Sequence, residues 1–235
     1  MRSPVGRLLL KLSGESIRGE AGVIAPTSLK YLAKEIRSVG EIAIAIVIGG
    51  GNIIRGARSE WVSRTEADTM GMLATVLNAI ALRPYIEAEG RDVMIQSAVY
   101  TGFTEPVAPR KATAAMDNGT VVLFAGGTGN PLVTTDTAAA IRAVTIGSDM
   151  VAKASNVSGV YTEDPKSGRD VRLLKEVTFD EFLVNRYRVI DQVAVELCRE
   201  HDLPITVFDV GEPGNLSALV RGEEVGTYIS SPGSE

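Results

Sequence analysis

Short apolar runs alternate with longer stretches of helical period along the whole chain. Residues 8–12, 42–48, 92–98, 120–124, 149–154 and 205–210 are apolar runs of strand length. Between them, residues 26–39, 66–89, 108–118, 134–147 and 187–201 have the length and spacing of helices. Strand followed by helix, repeated, predicts a mostly parallel central sheet with helices on both faces, because strands covered on both sides read as continuous apolar runs. The expected fold class is α/β, a three-layer α/β/α sandwich. Residues 160–184, opening with VYTEDPKSGRD, are polar and rich in turn formers, and predict a surface excursion with a small hairpin. No linker, low-complexity tract or repeat interrupts the alternation, so one domain over residues 1–235 is expected.

In open sheets of this kind ligands bind beyond the carboxyl ends of the strands. Beyond the first, second and fourth strands come KLSGE, GGGNIIRG and AGGTGNPLVTTD, which places three glycine-bearing loops on one edge. Bare glycine backbone lets N–H groups approach an oxyanion, and Arg55 in the second loop points to phosphate or carboxylate. Two common nucleotide-binding signatures are absent. No Gly-Lys pair occurs, which excludes a Walker loop. Gly49 and Gly51 are followed by Ile54, and Gly127 and Gly129 by Leu132, where a dinucleotide fingerprint needs a third glycine.

Composition narrows the ligand further. The chain is 45% hydrophobic and 23% charged, as in ordinary globular proteins, and its net charge of −5 argues against an extended nucleic-acid-binding face. Cations set among apolar strands therefore need a local reason. Lys11 lies between Leu10 and Leu12, and Lys153 follows Val151 and Ala152. An unpartnered buried ammonium costs several kcal/mol, so each lysine should reach a strand end and meet an anion; the other reading is a side chain that snorkels to water. Asp136 opens a predicted helix and is either its cap or the carboxylate that orients both lysines. The loop before it could form a second anion cradle. Two cradles with cations between them suit phosphoryl transfer between two phosphorylated ligands. These loops contain no histidine or evident carboxylate base, and an acceptor phosphate, with a second pKa around 6, would need none.

Single-residue signals are weaker. Cys198 is the sole cysteine, so no internal disulfide forms, and neither an apolar leader nor a run near the roughly 18–20 residues of a membrane span is present. The expectation is a cytoplasmic protein with no membrane or nucleic-acid partner. No cysteine–histidine metal spacing exists. Met70, Leu73, Leu77 and Ile80 form a stripe that reads as core or as an oligomer face. Asp191 reads equally as functional or as a cap, and Trp61 as a cover for a nucleotide or a neighbouring subunit.

The segments LLLKLSGES, VIGGGNIIRG, ADTMGMLATVLNAIALR, GTGNPLVTTDTAA, NVSGVYTEDP, YRVID and HDLPITVFD, in this order, resemble the bacterial uridylate (UMP) kinases of the amino-acid kinase superfamily over nearly the whole chain. The resemblance implies an amino-acid-kinase-like fold and an enzyme that transfers the γ-phosphoryl group of ATP to UMP, giving UDP and ADP in pyrimidine nucleotide biosynthesis. By the same resemblance Lys11, Leu12, Ser13 and Gly14 contact the ATP phosphates, and Gly50 the UMP. Gly51 and Arg55 meet the phosphates where donor and acceptor join, and Asp68 holds the UMP ribose. Thr128, Gly129, Asn130, Pro131, Leu132, Val133, Thr134 and Thr135 cradle UMP. Ser155, Tyr161 and Asp164 hold the adenine nucleotide. Lys153 and Asp136 complete the transfer centre around Mg-ATP, with Mg2+ expected through the ATP phosphates rather than at a protein metal site. A homohexamer activated by GTP and inhibited by UTP is also implied. The chain departs from the family form at Ser158, where an aspartate is usual, and in GEAGVIAP, which follows the segment linked to GTP activation only loosely. Two alternatives stay open: a family member acting on a carboxylate or carbamate, and a non-catalytic nucleotide-binding protein on the same fold.

Overall fold

An apolar run without polar alternation is stable only where both faces of the strand are covered. Strand β1 (Arg7–Leu12) meets that condition, with Leu8, Leu9, Leu10 and Leu12 fully buried. The structure, a computed structural model, describes residues 2–20, 22–55, 59–163 and 171–233. In it β1 pairs in parallel with β2 (Ala43–Ile48) on one side and β6 (Met150–Ser155) on the other. Beyond β2 the sheet continues in parallel through β5 (Val121–Ala125), β3 (Val93–Ser97) and the short β4 (Glu105–Pro106). Beyond β6 lies β10 (Ile205–Asp209), also parallel; β11 (Thr227–Ser230) then runs antiparallel, and β9 (Glu176–Thr178) forms the edge parallel to β11. The order is β4-β3-β5-β2-β1-β6-β10-β11-β9.

Successive side chains of a strand point to opposite faces, so each strand feeds two cores. Leu8, Leu10 and Leu12 pack with α1 (Pro26–Ser38), α2 (Arg64–Ala88) and α7 (Asn215–Val220). Leu9 shares the other core with residues of α3 (Pro109–Asp117), α4 (Thr135–Ile146), α5 (Phe179–Val184) and α6 (Gln192–Glu200). The buried surface of α4 includes Ala138, Ala139, Ala140 and Ala143, small residues that bring the helix backbone close to the sheet. Because β2 and β6 lie on opposite sides of β1, the chain reverses its direction of travel there, which opens a crevice at the carboxyl ends of the three strands.

The α/β/α reading holds, with two local differences. The helix expected over 187–201 begins only at Gln192, because Asp191 has extended backbone and its side chain accepts the Ala194 N–H as an N-cap. The expected hairpin is present as β7 (Val160–Tyr161) with β8 (Leu173–Leu174). Residues 176–182 are no surface excursion: β9 joins the main sheet, and Val177, Phe179 and Phe182 are buried. The polar average of the segment concealed an apolar end.

Candidate active site

Lys11 and Lys153 are register partners on neighbouring strands, near the carboxyl ends of β1 and β6. Both follow by two residues a side chain of the α4-side core, Leu9 and Val151, so both point toward α4. That helix starts at the same edge, and its second residue is Asp136. Lys11 Nζ lies 2.7 Å from Asp136 Oδ1, and Lys153 Nζ donates to Asp136 Oδ2. The three residues are only 8%, 9% and 8% exposed for Lys11, Lys153 and Asp136. Burial works to raise the Asp136 pKa, but the charges and hydrogen bonds of the two lysines overcome it and hold the carboxyl far below its usual range. Burial, reinforced by Lys11 and opposed by Asp136, lowers Lys153 to about 8. Two ammonium groups share one carboxylate, which leaves a net positive charge in a poorly solvated place. Neither lysine snorkels, and Asp136 is the carboxylate that joins them.

The cap of α4 is the neighbouring Thr134, whose Oγ1 accepts the Asp136 and Thr137 N–H groups at 3.1 and 3.4 Å. Asp191 fastens this helix start to α6. It takes the hydroxyls of Thr134 and Thr137, the latter at 3.1 Å, while its own N–H donates to Asp136 Oδ2 at 3.4 Å. Asp191 is thus a cap and a brace of the buried Lys11–Asp136–Lys153 group at once.

The glycine loop after β2 is held from beneath. Asn78 of α2 donates to Gly49 O at 2.8 Å and exchanges amide hydrogen bonds with Asn52, both side chains being buried. Two glycines are required by close approach. A Cβ on Gly14 would lie 2.6 Å from Gly51 N, and one on Gly50 would lie 2.5 Å from Gly71 O of α2. Arg55 then turns back to the short 3-10 turn Gly14–Ile17, where Glu15 Oε1 accepts its Nε at 3.2 Å and its Nη2 at 2.6 Å.

On the far side of the crevice Asp68 Oδ2 accepts Arg64 Nε at 2.8 Å and the Leu132 N–H at 2.9 Å. Leu132 has φ 68, in the left-handed region that a leucine rarely enters. A cavity of about 390 Å³ opens between these groups. Of the expected site residues it is lined by Lys11, Ser13, Gly14, Gly50, Gly51, Arg55, Asp68, Thr128, Asn130, Val133, Thr134 and Thr135. Gly129, Pro131 and Leu132 belong to the same loop but do not line it, and the Leu12 side chain lies in the core. Tyr161 lines a second cavity, of about 530 Å³, with Val157, Arg186 and Arg188. Ser155 ends β6 and lines neither, and Asp164 lies outside the described residues. The reading of the sequence did not single out Glu15, Arg64, Asn52 or Asn78. The only local trace of Glu15 and Arg64 was a charge beside a loop already suspected of binding anions.

The family model described as the amino acid kinase family matches residues 6–209. The uridylate kinase of Campylobacter concisus is 43% identical over 229 residues, covering 94% of this chain and 96% of that protein. The uridylate kinase of Wolinella succinogenes is 44% identical, covering 95% of each. Among solved structures, the UMP kinase of Bacillus anthracis superposes with a TM-score of 0.93 at 35% identity, over 99% of this chain and 98% of that one. The UMP kinase of Ureaplasma parvum gives 0.89 at 30% identity, over 98% and 100%. Buried lysines on adjacent strand ends, an aspartate that joins them and a glycine loop that lines a cavity with Lys11 are thus set in a chain that belongs to the amino acid kinase family, among its uridylate kinases.

Proposed function

We infer that the protein is a kinase that transfers the γ-phosphoryl group of ATP to UMP, giving UDP and ADP in pyrimidine nucleotide synthesis. The observation that carries this reading is the pair of buried lysines sharing Asp136, of which Lys11 lines a cavity whose other wall includes Asp68 and residues of the 128–135 loop. Phosphoryl transfer demands in-line positioning and charge neutralisation more than covalent chemistry. Lys11 would meet the phosphoryl group in flight, Lys153 would hold donor oxygens, and Asp136 would keep both ammonium groups aimed. The N–H groups of Ser13, Gly14, Gly50 and Gly51 would take phosphate oxygens, and Arg55 would neutralise charge where the two nucleotides meet. Asp68 would face the UMP ribose and the 128–135 loop the uracil. The acceptor phosphate is itself the nucleophile, so no general base is assigned.

Tyr161, Ser155 and Asp164 are assigned to the adenine nucleotide, and the cavity beside Tyr161 supports that side of the site. Among the described residues no group of three acidic, histidine or cysteine side chains is placed to hold a metal. Asp136 and Glu15 are each already paired with cations. That donor set fits Mg2+ held by the phosphates of ATP. When bound, Mg2+ would neutralise charge on the phosphates.

We also propose a homohexamer, activated by GTP and inhibited by UTP, working in the cytoplasm. Met70, Leu73 and Leu77 are 41%, 49% and 53% exposed along one side of α2, which supports a subunit contact there. No helix among the described residues is long and apolar enough to cross a membrane.

A coupled assay of ADP release with UMP, CMP, carbamate, aspartate and glutamate as acceptors tests the activity. UMP is expected to give the highest kcat/KM, with the rate raised by GTP and lowered by UTP. Turnover with a carboxylate or carbamate alone would overturn the acceptor, and absence of turnover with a particle of hexameric mass by sedimentation would leave the non-catalytic reading.

A further inference from the structure

An acid inside an anion-binding crevice needs a reason. Glu15 lies one residue beyond the Ser13–Gly14 backbone that faces the cavity, and its carboxylate would repel a polyphosphate bound there. Its partner is Arg55, 40 residues away in sequence, which lines the cavity. The mode of contact is specific. Nε and Nη2, one edge of the guanidinium, both converge on Oε1, and Nε also lies 3.4 Å from Gly51 O. Among the described residues no contact uses Nη1, so that side of the fork is left for an anion. The Glu15 backbone is held by the Ser13 cap, which accepts its N–H at 3.2 Å; its side chain is 22% exposed, against 42% for Arg55, and its other oxygen, Oε2, lies 3.9 Å from Arg18 Nη1.

From this geometry we infer that Glu15 is a positioning residue for the transfer reaction: it aims the Arg55 guanidinium so that its Nη1 side faces the phosphates. An arginine side chain free in solvent loses much rotamer freedom on binding, and a partner that holds its fork beforehand removes part of that cost from the transition state. The arrangement also ties the loop after β1 to the loop after β2, whose backbones are already in contact at Gly14 and Gly51. Glu15 touches neither nucleotide in this scheme. Its negative charge weakens ground-state binding slightly while the arginine it orients stabilises the transition state, and this is the signature to look for.

The inference rests on the kinase reading, so the wild-type protein is first assayed with ATP and UMP; failure there sinks that reading. Glu15→Gln keeps the shape of the side chain and removes the charge. The expected result is a kcat lower by about ten-fold, less than the loss of a transition-state donor itself, with KM for both nucleotides unchanged or reduced. In an Arg55→Ala background the same substitution is expected to change kcat less than two-fold, because there is no fork left to aim. Glu15→Asp, which retains charge at a shorter reach, is expected to recover part of the rate. Thermal unfolding of each variant separates a folding defect from a kinetic one, and the double-mutant comparison is read among the variants that unfold with the wild type. A wild-type kcat in Glu15→Gln would overturn the proposal. So would an equal loss with and without Arg55, or a rise in KM at constant kcat.

Discussion

Lys11, Asp136 and Lys153 meet almost out of reach of water, whereas Arg55 and Glu15 meet with side chains 42% and 22% exposed. Both groups sit at the same crevice, and both pair cations with one carboxylate. The difference in solvent decides what each can do. At the buried centre the effective dielectric is low, so the ions are strongly coupled and removing the shared carboxylate leaves uncompensated charge that costs about 3–5 kcal/mol. At the mouth the pair is screened and contributes at most about 1 kcal/mol to stability, so its value lies in direction rather than energy. The inner group fixes charge on regular elements, β1, β6 and α4, and the outer one steers charge between loops.

The largest effect should come from Asp136→Asn, which leaves two buried ammonium groups facing each other. Denaturant unfolding is expected to show a loss of about 3–5 kcal/mol, with turnover abolished. Glu15→Gln should lose less than about 1 kcal/mol in the same experiment, and equal losses would break the contrast between the two groups. Lys11→Ala comes next. It leaves Asp136 paired with Lys153, and is expected to lower kcat by about 100- to 1,000-fold, the scale of a lost transition-state contact, while UMP binding by calorimetry changes little. Abolished UMP binding would show that Lys11 serves the ground state instead.

The lowered pKa of Lys153 gives a third test of the buried centre, with activity and stability moving in opposite directions. In the proposed mechanism activity requires the ammonium, so kcat/KM should fall as pH rises through about 8. For stability, the folded pKa lies below the ordinary lysine value of 10.5, so above pH 8 the unfolded chain binds more protons at this site and folding becomes more favourable with pH. Above pH 9 the thiol of Cys198 opposes that gain, because burial raises its pKa from 9.0 to about 12 and the unfolded thiol ionises first. The clean window is therefore pH 8–9, and Lys153→Arg, whose guanidinium stays charged, should flatten both slopes there. Parallel falls of activity and stability in the wild type would contradict the assignment.

Much of the inner group was legible in the chain because its members violate local expectation. A lysine between leucines and another after Val151-Ala152 have few structural excuses, and Asp136 stands at a recognisable helix start. The central strands were legible for the same reason, since burial on both faces removes polar alternation. The edge strands were not: β11 spells TYIS, and β9 spells EVT inside a polar segment. The outer group was legible only by half. Arg55 stands out beside three glycines, but Glu15, Arg64 and the Asn52–Asn78 pair act through partners tens of residues away, except Arg64, whose Asp68 partner is four residues on. Asp191 was left open between cap and functional group because its cap is local, whereas its bonds to Thr134 and Thr137 are set by the packing of α6 on α4.

The smallest effect tests how tightly the far wall of the crevice is held. Leu132 sits at φ 68 with its N–H on Asp68, and its side chain is 65% exposed, so little burial favours a leucine there. A left-handed leucine costs roughly 1–2 kcal/mol, which glycine would relieve, but glycine also widens the unfolded ensemble by roughly 0.5–1 kcal/mol. The two nearly cancel, so Leu132→Gly is expected to change stability by less than about 1 kcal/mol. The loop would nevertheless be freer before the acceptor arrives, and ordering it would then fall on binding. KM for UMP should rise by a few-fold at constant kcat, with KM for ATP unmoved. A fall in kcat instead would mean that the loop after Gly129 transmits strain to the buried lysines, and that the far wall and the inner group are one device rather than two.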